Sequence, residues 1–373
     1  MIRRQLKILN NKIMKTRLTR VLSVLLGIVL CYGCWGDSEV SAAVKEYKKQ
    51  KTFERTFEVS TGDLLLVNNR YGNVTVAHWN EPKVEIKVVV ESRARKEADA
   101  QELLDRVRVK LEKAGNQVSG VTDLLPQKGN GRNSSFEINY FVRMPEAFRS
   151  DISLKYGNIL LPAGKNGSTR ISLKYGNLDG GDFVGDLDLE AKYGNVTLGN
   201  LRKVMMELGY VGKMKSGNVE EMSGDVKYSE LGAGSVRQAS LEMKYSNLSL
   251  EEIDRLELDL DYGNANIGYL KGWLKVDELG YSNMDIERVA ADFQRIEVES
   301  HYGNLTVGVP SQASVKVRAD DMRYSSFDVN GLRLTKERRL DHDYDYEING
   351  GHGGEILYNG GGYGNLTIKR RDK

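Results

Sequence analysis

Leu187-Asp188-Leu189-Glu190-Ala191-Lys192-Tyr193-Gly194-Asn195-Val196-Thr197-Leu198 holds the pattern that much of the chain repeats. Leu187, Leu189, Ala191 and Tyr193 alternate with Asp188, Glu190 and Lys192, which is the period of a strand with one buried face. After Tyr193-Gly194-Asn195 the alternation resumes one residue out of phase, with Val196 and Leu198 around Thr197. The extra residue marks a corner, where glycine supplies a positive φ and asparagine tolerates the left-handed region. Tyrosine falls on the apolar parity, so its ring is expected to point inward.

The tripeptide recurs at Tyr71-Gly72-Asn73, Tyr156-Gly157-Asn158, Tyr175-Gly176-Asn177, Tyr262-Gly263-Asn264, Tyr302-Gly303-Asn304 and Tyr363-Gly364-Asn365. It becomes Tyr-Ser-Asn at Tyr245-Ser246-Asn247 and Tyr281-Ser282-Asn283. From Tyr156 the tyrosines continue through Tyr175, Tyr193, Tyr210, Tyr228, Tyr245, Tyr262, Tyr281, Tyr302 and Tyr324, in steps of 19, 18, 17, 18, 17, 17, 19, 21 and 22 residues. Such a period over half the chain marks a repeat architecture.

The expected fold is all-β, a parallel β-solenoid (a right-handed β-helix) with turns of about 18 residues and a small strand-helix-strand cap near the N-terminus. Turns stacked at the interstrand spacing put like residues on like. Two structural ladders follow. Tyr156, Tyr175, Tyr193, Tyr245, Tyr262, Tyr302 and Tyr363 form one inside the coil. Asn158, Asn177, Asn195, Asn247, Asn264, Asn304 and Asn365 form the other, their amides bonding along the stack.

Residues 1–42 read as a signal peptide: Arg17 and Arg20 precede an apolar run from Val21 to Cys31, and Val40-Ser41-Ala42 offers a cleavage site. The rival reading lipidates Cys34, which would make a lipid anchor the protein's membrane attachment. The only two cysteines, Cys31 and Cys34, fall in this segment, so packing alone must hold the body. Of 54 Lys/Arg and 52 Asp/Glu, the segment takes seven and two, leaving 47 against 50, a net of −3. That balance gives a nucleic-acid partner no support.

Residues 43–81 hold the first strands of the repeat domain, and 82–148 read as an α+β capping segment covering the exposed edge that a first turn would otherwise present. A loop is expected from Gln127 to Ser135. Residues 149–373 form the solenoid with a glycine-rich C-terminal turn; the regular part ends near 330 and the last repeat, at Tyr363, follows a charged stretch. The turn at Tyr210 is the least regular, with Ser216-Gly217-Asn218 six residues later suggesting a bulge or displaced corner.

The block Val84 to Gly120, especially Glu102-Leu103-Leu104-Asp105-Arg106-Val107-Arg108-Val109, followed by repeated Tyr-Gly-Asn corners and a glycine-rich last turn, resembles the bacterial putative-adhesin β-strand-repeat family of exported β-solenoid proteins. The resemblance spans about residues 50–373 and implies a location on the cell surface, at the outer membrane or in the periplasm. It brings no catalytic residues with it.

Little in the residues points to catalysis. His78, His301, His342 and His352 lack metal-ligand spacing, and neither Gly-x-Ser-x-Gly nor His-Glu-x-x-His occurs. Asp341, Asp343, Asp345 and Glu347 share one parity and suit calcium chemically, but a solvated strand face explains them as well. Gly351-His352-Gly353-Gly354 and Gly360-Gly361-Gly362 open no helix, so corners account for them better than a phosphate cradle. The expectation is a non-enzymatic, adhesin-like surface or envelope module without cofactor or metal, binding a glycan or protein ligand. The alternatives are a periplasmic protein that meets another envelope protein, and a carbohydrate-active β-helix enzyme whose outward carboxylates converge with a Lys or Arg in a groove.

Overall fold

A computed structural model describes residues 46–126, 134–361 and 363–372. The expected leader with Cys31 and Cys34, most of the 127–135 loop, and Gly362 lie outside the described residues.

From Arg149 to Val309 the strands pair in parallel and, between local bulges, in register, because each repeat presents the same alternation to the next. Ile152, Ile171, Leu189 and Met206 form one buried column, with Ile171 beside both Ile152 and Leu189, and Leu189 beside Met206. Leu241, Leu258, Val276 and Val298 continue the same kind of column further along. Burying each of these side chains contributes about 1.5–3 kcal/mol, so the stack is held mainly by this narrow apolar interior. Several strands run through the corner without interruption, as Phe183–Thr197 does.

At the N-terminal end the repeat of Leu64–Arg70 and Val74–Trp79 lies against Arg149–Lys155 and Ile159–Leu161. Its outer side is covered by Gln117–Leu124 and Ser134–Pro145. Antiparallel strands Val107–Ala114, Lys83–Ala94 and Tyr47–Glu58 follow outward. The helix Glu97–Arg106 buries Ala100, Leu103 and Leu104 as it packs on Lys83–Ala94 and Tyr47–Glu58. Tyr47–Glu58 is charged and mostly exposed, which discourages further strand pairing.

Chain order and spatial order part company at the C-terminal end, which the sequence period did not reveal. The segment Gly354–Asn359 pairs between Arg295–His301 and Val315–Asp320, and Asn365–Arg370 pairs between Asn304–Val309 and Phe327–Asn330. The final repeat is therefore interposed one place before the segment it follows in sequence. A hairpin of Leu334–Leu340 and Asp343–Ile348 folds antiparallel onto Val315–Asp320 and turns the chain back towards that gap.

Candidate functional site

The corner differs from its sequence reading in two ways. Tyrosine itself holds the left-handed conformation, with φ between 48° and 66° at Tyr71, Tyr156, Tyr175, Tyr193, Tyr210, Tyr228, Tyr245, Tyr262, Tyr281 and Tyr302. Its ring is also outside: Tyr156 is 37% exposed and Tyr281 55%. Counting alternation predicted an inward ring because parity holds only while the backbone stays extended. A positive φ at the tyrosine swings the side chain off the strand's inner face.

Glycine has another reason to follow. Among the tripeptide glycines only Gly72 has a positive φ. A Cβ on Gly157, Gly176 or Gly194 would overlap the carbonyl oxygen of the corner glycine on the neighbouring strand, so these residues permit close backbone approach. Where serine stands instead, its hydroxyl is used: the single proton of Ser246 Oγ lies between Lys244 O at 2.8 Å and Val226 O at 3.1 Å while the oxygen accepts from Ser229 N–H, and Ser282 Oγ accepts from Gly263 N–H.

The rings stack in one continuous row. From Tyr71 through Tyr156, Tyr175, Tyr193, Tyr210, Tyr228, Tyr245, Tyr262, Tyr281, Tyr302 and Tyr363 to Tyr324, centroids lie 4.7–5.1 Å apart with interplanar angles of 1–18°. Tyr363 sits between Tyr302 and Tyr324, as the interposed last repeat requires. Phe136 closes one end, edge-on to Tyr71 at 5.3 Å. Tyr324, 73% exposed, ends the row at the other. Each stacked contact contributes about 0.5–1.5 kcal/mol, close to the roughly 1–2 kcal/mol that a non-glycine residue gives up in the left-handed region. Stacking and strain therefore nearly offset each other.

Asparagines flank the rings in two runs. Asn73, Asn158, Asn177 and Asn195 form the first, in which the backbone N–H and Nδ2 of each successive residue donate to the preceding Oδ1 at 3.0–3.3 Å. Asn247, Asn264, Asn283, Asn304 and Asn365 form the second, at 2.7–3.2 Å. Between them Lys213 and Glu230 occupy the asparagine register and pair at 3.0 Å. Gly212 is the extra residue there, producing a bulge opposite Gly194 and Asn195.

On the other flank the residue preceding each tyrosine also stacks in register. Arg70, Lys155, Lys174 and Lys192 form a row, and after Gly209 come Lys227 and Lys244, before Asp261 reverses the sign. Lys174 and Lys192 share Glu190 at 3.6 and 3.1 Å, and Lys155 lies over the Tyr156 ring at 4.9 Å. Among the described residues no hydroxyl of the tyrosine row hydrogen-bonds within the protein. Partial desolvation, the Asp261 carboxylate and the neighbouring phenols hold the Tyr262 hydroxyl above its ordinary pKa, keeping it neutral. What the corner offers is a row of phenolic edges and hydroxyls at strand spacing. It offers little ring face for a sugar to stack on, because each interior ring is already faced on both sides by its neighbours.

A second polar run escaped the sequence reading. Asn200 N donates to Asp182 Oδ1, Asn218 N to Asn200 Oδ1, and Ser235 N to Asn218 Oδ1. Its signal was present in Gly181-Asp182, Gly199-Asn200, Gly217-Asn218 and Gly234-Ser235, spaced like the tyrosines. Ser216-Gly217-Asn218 is thus a member of this run, while the irregularity at Tyr210 is the bulge at Gly212. Beside the run lies a groove of about 560 Å³ that holds Glu252 and Asp254 with Arg202, Arg237 and Lys271. Lys271 at 2.5 Å and the Ser235 hydroxyl hold the Glu252 carboxyl below its usual range, the opposite of what a general acid needs.

The remaining candidates are dispersed. Asp345 and Glu347 both pair with Lys336, at 3.0 and 3.3 Å, and among the described residues no group of three or more His, Cys, Asp or Glu is placed to hold a metal ion. His301 is exposed, His342 and His352 lie in other turns, and the half-buried His78 has an unpartnered Nε2. Gly350, Gly351 and Gly361 have φ of 96°, 67° and 52°, which fits tight turns.

Fold and corner together define a β-repeat protein whose stacked parallel strands carry an exposed aromatic row. No protein family and no curated protein matches the chain. Among solved structures it is similar to a "putative cell adhesion protein" from Clostridium sporogenes, at 12% identity and a TM-score of 0.20, over 87% of this chain and 100% of that one. It is also similar to a "putative adhesin" from Parabacteroides distasonis, at 10% identity and 0.34, over 86% and 97%. A "putative lipid binding protein" from Parabacteroides distasonis gives 10% and 0.23, over 85% and 96%. With identities this low, function has to be argued from the chain's own surface.

Proposed function

We propose that the protein is an exported, non-enzymatic, adhesin-like β-solenoid, right-handed with turns of about 18 residues, whose tyrosine corner binds an extended polymer at the cell surface or in the envelope. The observation that carries this reading is the row of twelve stacked tyrosines whose hydroxyls have no partner among the described residues, flanked in its first half by two short runs of cations, Arg70 to Lys192 and Lys227 to Lys244. A polymer laid along it would meet one donor-acceptor group per turn, and many weak contacts along a single molecule multiply into useful affinity. The carbohydrate-active alternative fares worse, because the groove carboxylate Glu252 is committed to Lys271. A docking patch on the N-terminal cap is supported only by the isolated exposed Phe141.

The test is binding to linear glycans and matrix polymers in length series. Affinity should rise steeply with the number of repeat units until the polymer spans the row. Affinity independent of length would contradict the proposal, and release of soluble sugar product would replace it with the enzymatic one.

A further inference from the structure

A cavity with no part in the tyrosine corner lies at the N-terminal end. Three segments at strand ends, Val59–Asp63, Trp79–Pro82 and Pro145–Arg149, border an open cavity of about 690 Å³. That is within the range of small-ligand sites, about 300–1,000 Å³. Loops placed by rigid strands are also where binding groups concentrate.

The wall chemistry narrows the ligand. Trp79, Pro82, Pro145 and Phe148 give an apolar, ring-lined surface. Trp79 is fixed in place, its indole N–H donating to Lys83 O at 2.8 Å and the Arg143 guanidinium lying 5.2 Å from its ring. Of the charges lining the cavity, Asp63 and Glu81 have ionic partners, while Glu146 and Arg149 bond only to neutral groups. Asp63 takes Lys113 Nζ at 2.8 Å and Ser60 N–H at 3.1 Å, which together lower its pKa. Glu146 takes Asn166 Nδ2 at 2.9 Å, Glu81 lies 3.8 Å from Lys83, and Arg149 donates to Gly62 O. In contrast, the side chains of Ser60, Thr61 and Asn80 are exposed and have no hydrogen-bond partner among the described residues.

A wall of tryptophan and proline, charges of both signs around the rim, and three short uncharged polar side chains match a ligand with one apolar face and several hydroxyls. We infer that this cavity binds a single neutral sugar ring. Its C–H face would lie against Trp79 and the prolines, and its hydroxyls would meet Ser60, Thr61 and Asn80. Acidic and basic groups share the rim, so neither sign of ionised ligand is favoured, and a plain acyl chain would cover those polar groups without pairing them. This site is independent of the tyrosine corner and would engage one residue of a glycan whatever the corner holds.

The experiment uses the indole N–H signals of the ¹⁵N-labelled protein, which contains three tryptophans, Trp35, Trp79 and Trp273. Trp79→Phe assigns the reporter by its loss. Titration with methyl glucoside, methyl galactoside, methyl mannoside and N-acetylglucosamine should shift the Trp79 signal saturably for at least one sugar and leave Trp273 unmoved. Thr61→Phe, at an exposed turn on the rim, should weaken that binding by about tenfold or more with unchanged melting. Asn80→Ala should weaken it less, and Tyr193→Phe at the distant corner should leave it intact. The inference is overturned if no sugar moves Trp79 up to its solubility limit. It is equally overturned if Thr61→Phe, still folded, binds as before, or if a fatty acid or an aromatic amino-acid amide shifts Trp79 where no sugar does.

Discussion

Replacing Tyr193 by alanine and by glycine separates the two forces that meet at the corner. Tyr193 is 46% exposed and stacked on both sides, at 4.8 Å from Tyr175 and 5.1 Å from Tyr210. About half of an aromatic side chain's area, on the order of 100 Å², is removed from water, which contributes about 2 kcal/mol. Two stacked contacts add about 1–3 kcal/mol. Tyr193→Ala should therefore cost about 3–5 kcal/mol. Tyr193→Gly loses the same contacts but relieves the strain at φ 60°. That relief is worth about 1–2 kcal/mol, against about 0.5–1 kcal/mol for glycine's greater freedom when unfolded. Glycine should thus be the milder substitution by up to about 1 kcal/mol. At Leu189, buried in the same strand with no positive φ, glycine should be worse than alanine. Equilibrium urea unfolding of the four variants measures both differences. If glycine is the more damaging at both positions, tyrosine is not strained at the corner and the balance of stacking against strain is wrong.

Other consequences follow from the same geometry. Asn177→Ala should lower stability by about 1–2 kcal/mol, and more than Asn195→Ala, because Asn177 Oδ1 accepts both the N–H and Nδ2 of Asn195 while Asn195 Oδ1 has no partner among the described residues; equal losses in thermal melts would contradict the ladder's direction. Gly176→Ala should cost about 3 kcal/mol or more because its Cβ would enter the Gly157 carbonyl oxygen, whereas Gly209→Ala, nearest to Lys192 Cγ at 3.5 Å, should be neutral or slightly stabilising. Lys165, 1% exposed and bonded only to the carbonyls of Phe148 and Gly167, has its amine pushed down by burial to about 8, with Glu146 acting weakly the other way. Between that value and the ordinary lysine range the unfolded chain binds the extra proton, so stability should rise with pH there and fall as pH drops through about 8. Lys165→Met should flatten this rise. Above about 10 stability should fall again in both proteins as unfolded tyrosines ionise, since burial holds Tyr140 and Tyr358 at about 12.

Much of this protein is written in two periods, and what the sequence leaves out is equally specific. Alternation around Leu187 and Leu189 placed the buried columns correctly, because an extended backbone leaves a side chain only two directions to point. The same counting failed at Tyr193, where one positive φ redirects the ring outwards. Glycine at 194 was legible as a constraint, but the reason is backbone approach across strands and not its own dihedral. The interposition of Tyr363 between Tyr302 and Tyr324 could not be read at all, because repeats reveal which segments are alike and not which are neighbours. The cavity at Trp79 and Phe148 draws on loops far apart in sequence, none of which carries a motif.

Binding through the hydroxyl row is isolated by replacing Tyr175, Tyr193, Tyr210 and Tyr228 together with phenylalanine, which keeps every ring and deletes only the hydroxyls. Each lost hydrogen bond should cost on the order of 0.5 kcal/mol. Affinity for the polymer selected in the length series should fall by about tenfold or more, with melting unchanged because these hydroxyls have no hydrogen-bond partner among the described residues. Undiminished polymer binding by the well-folded quadruple variant would contradict the account and remove the tyrosine corner from the protein's binding surface.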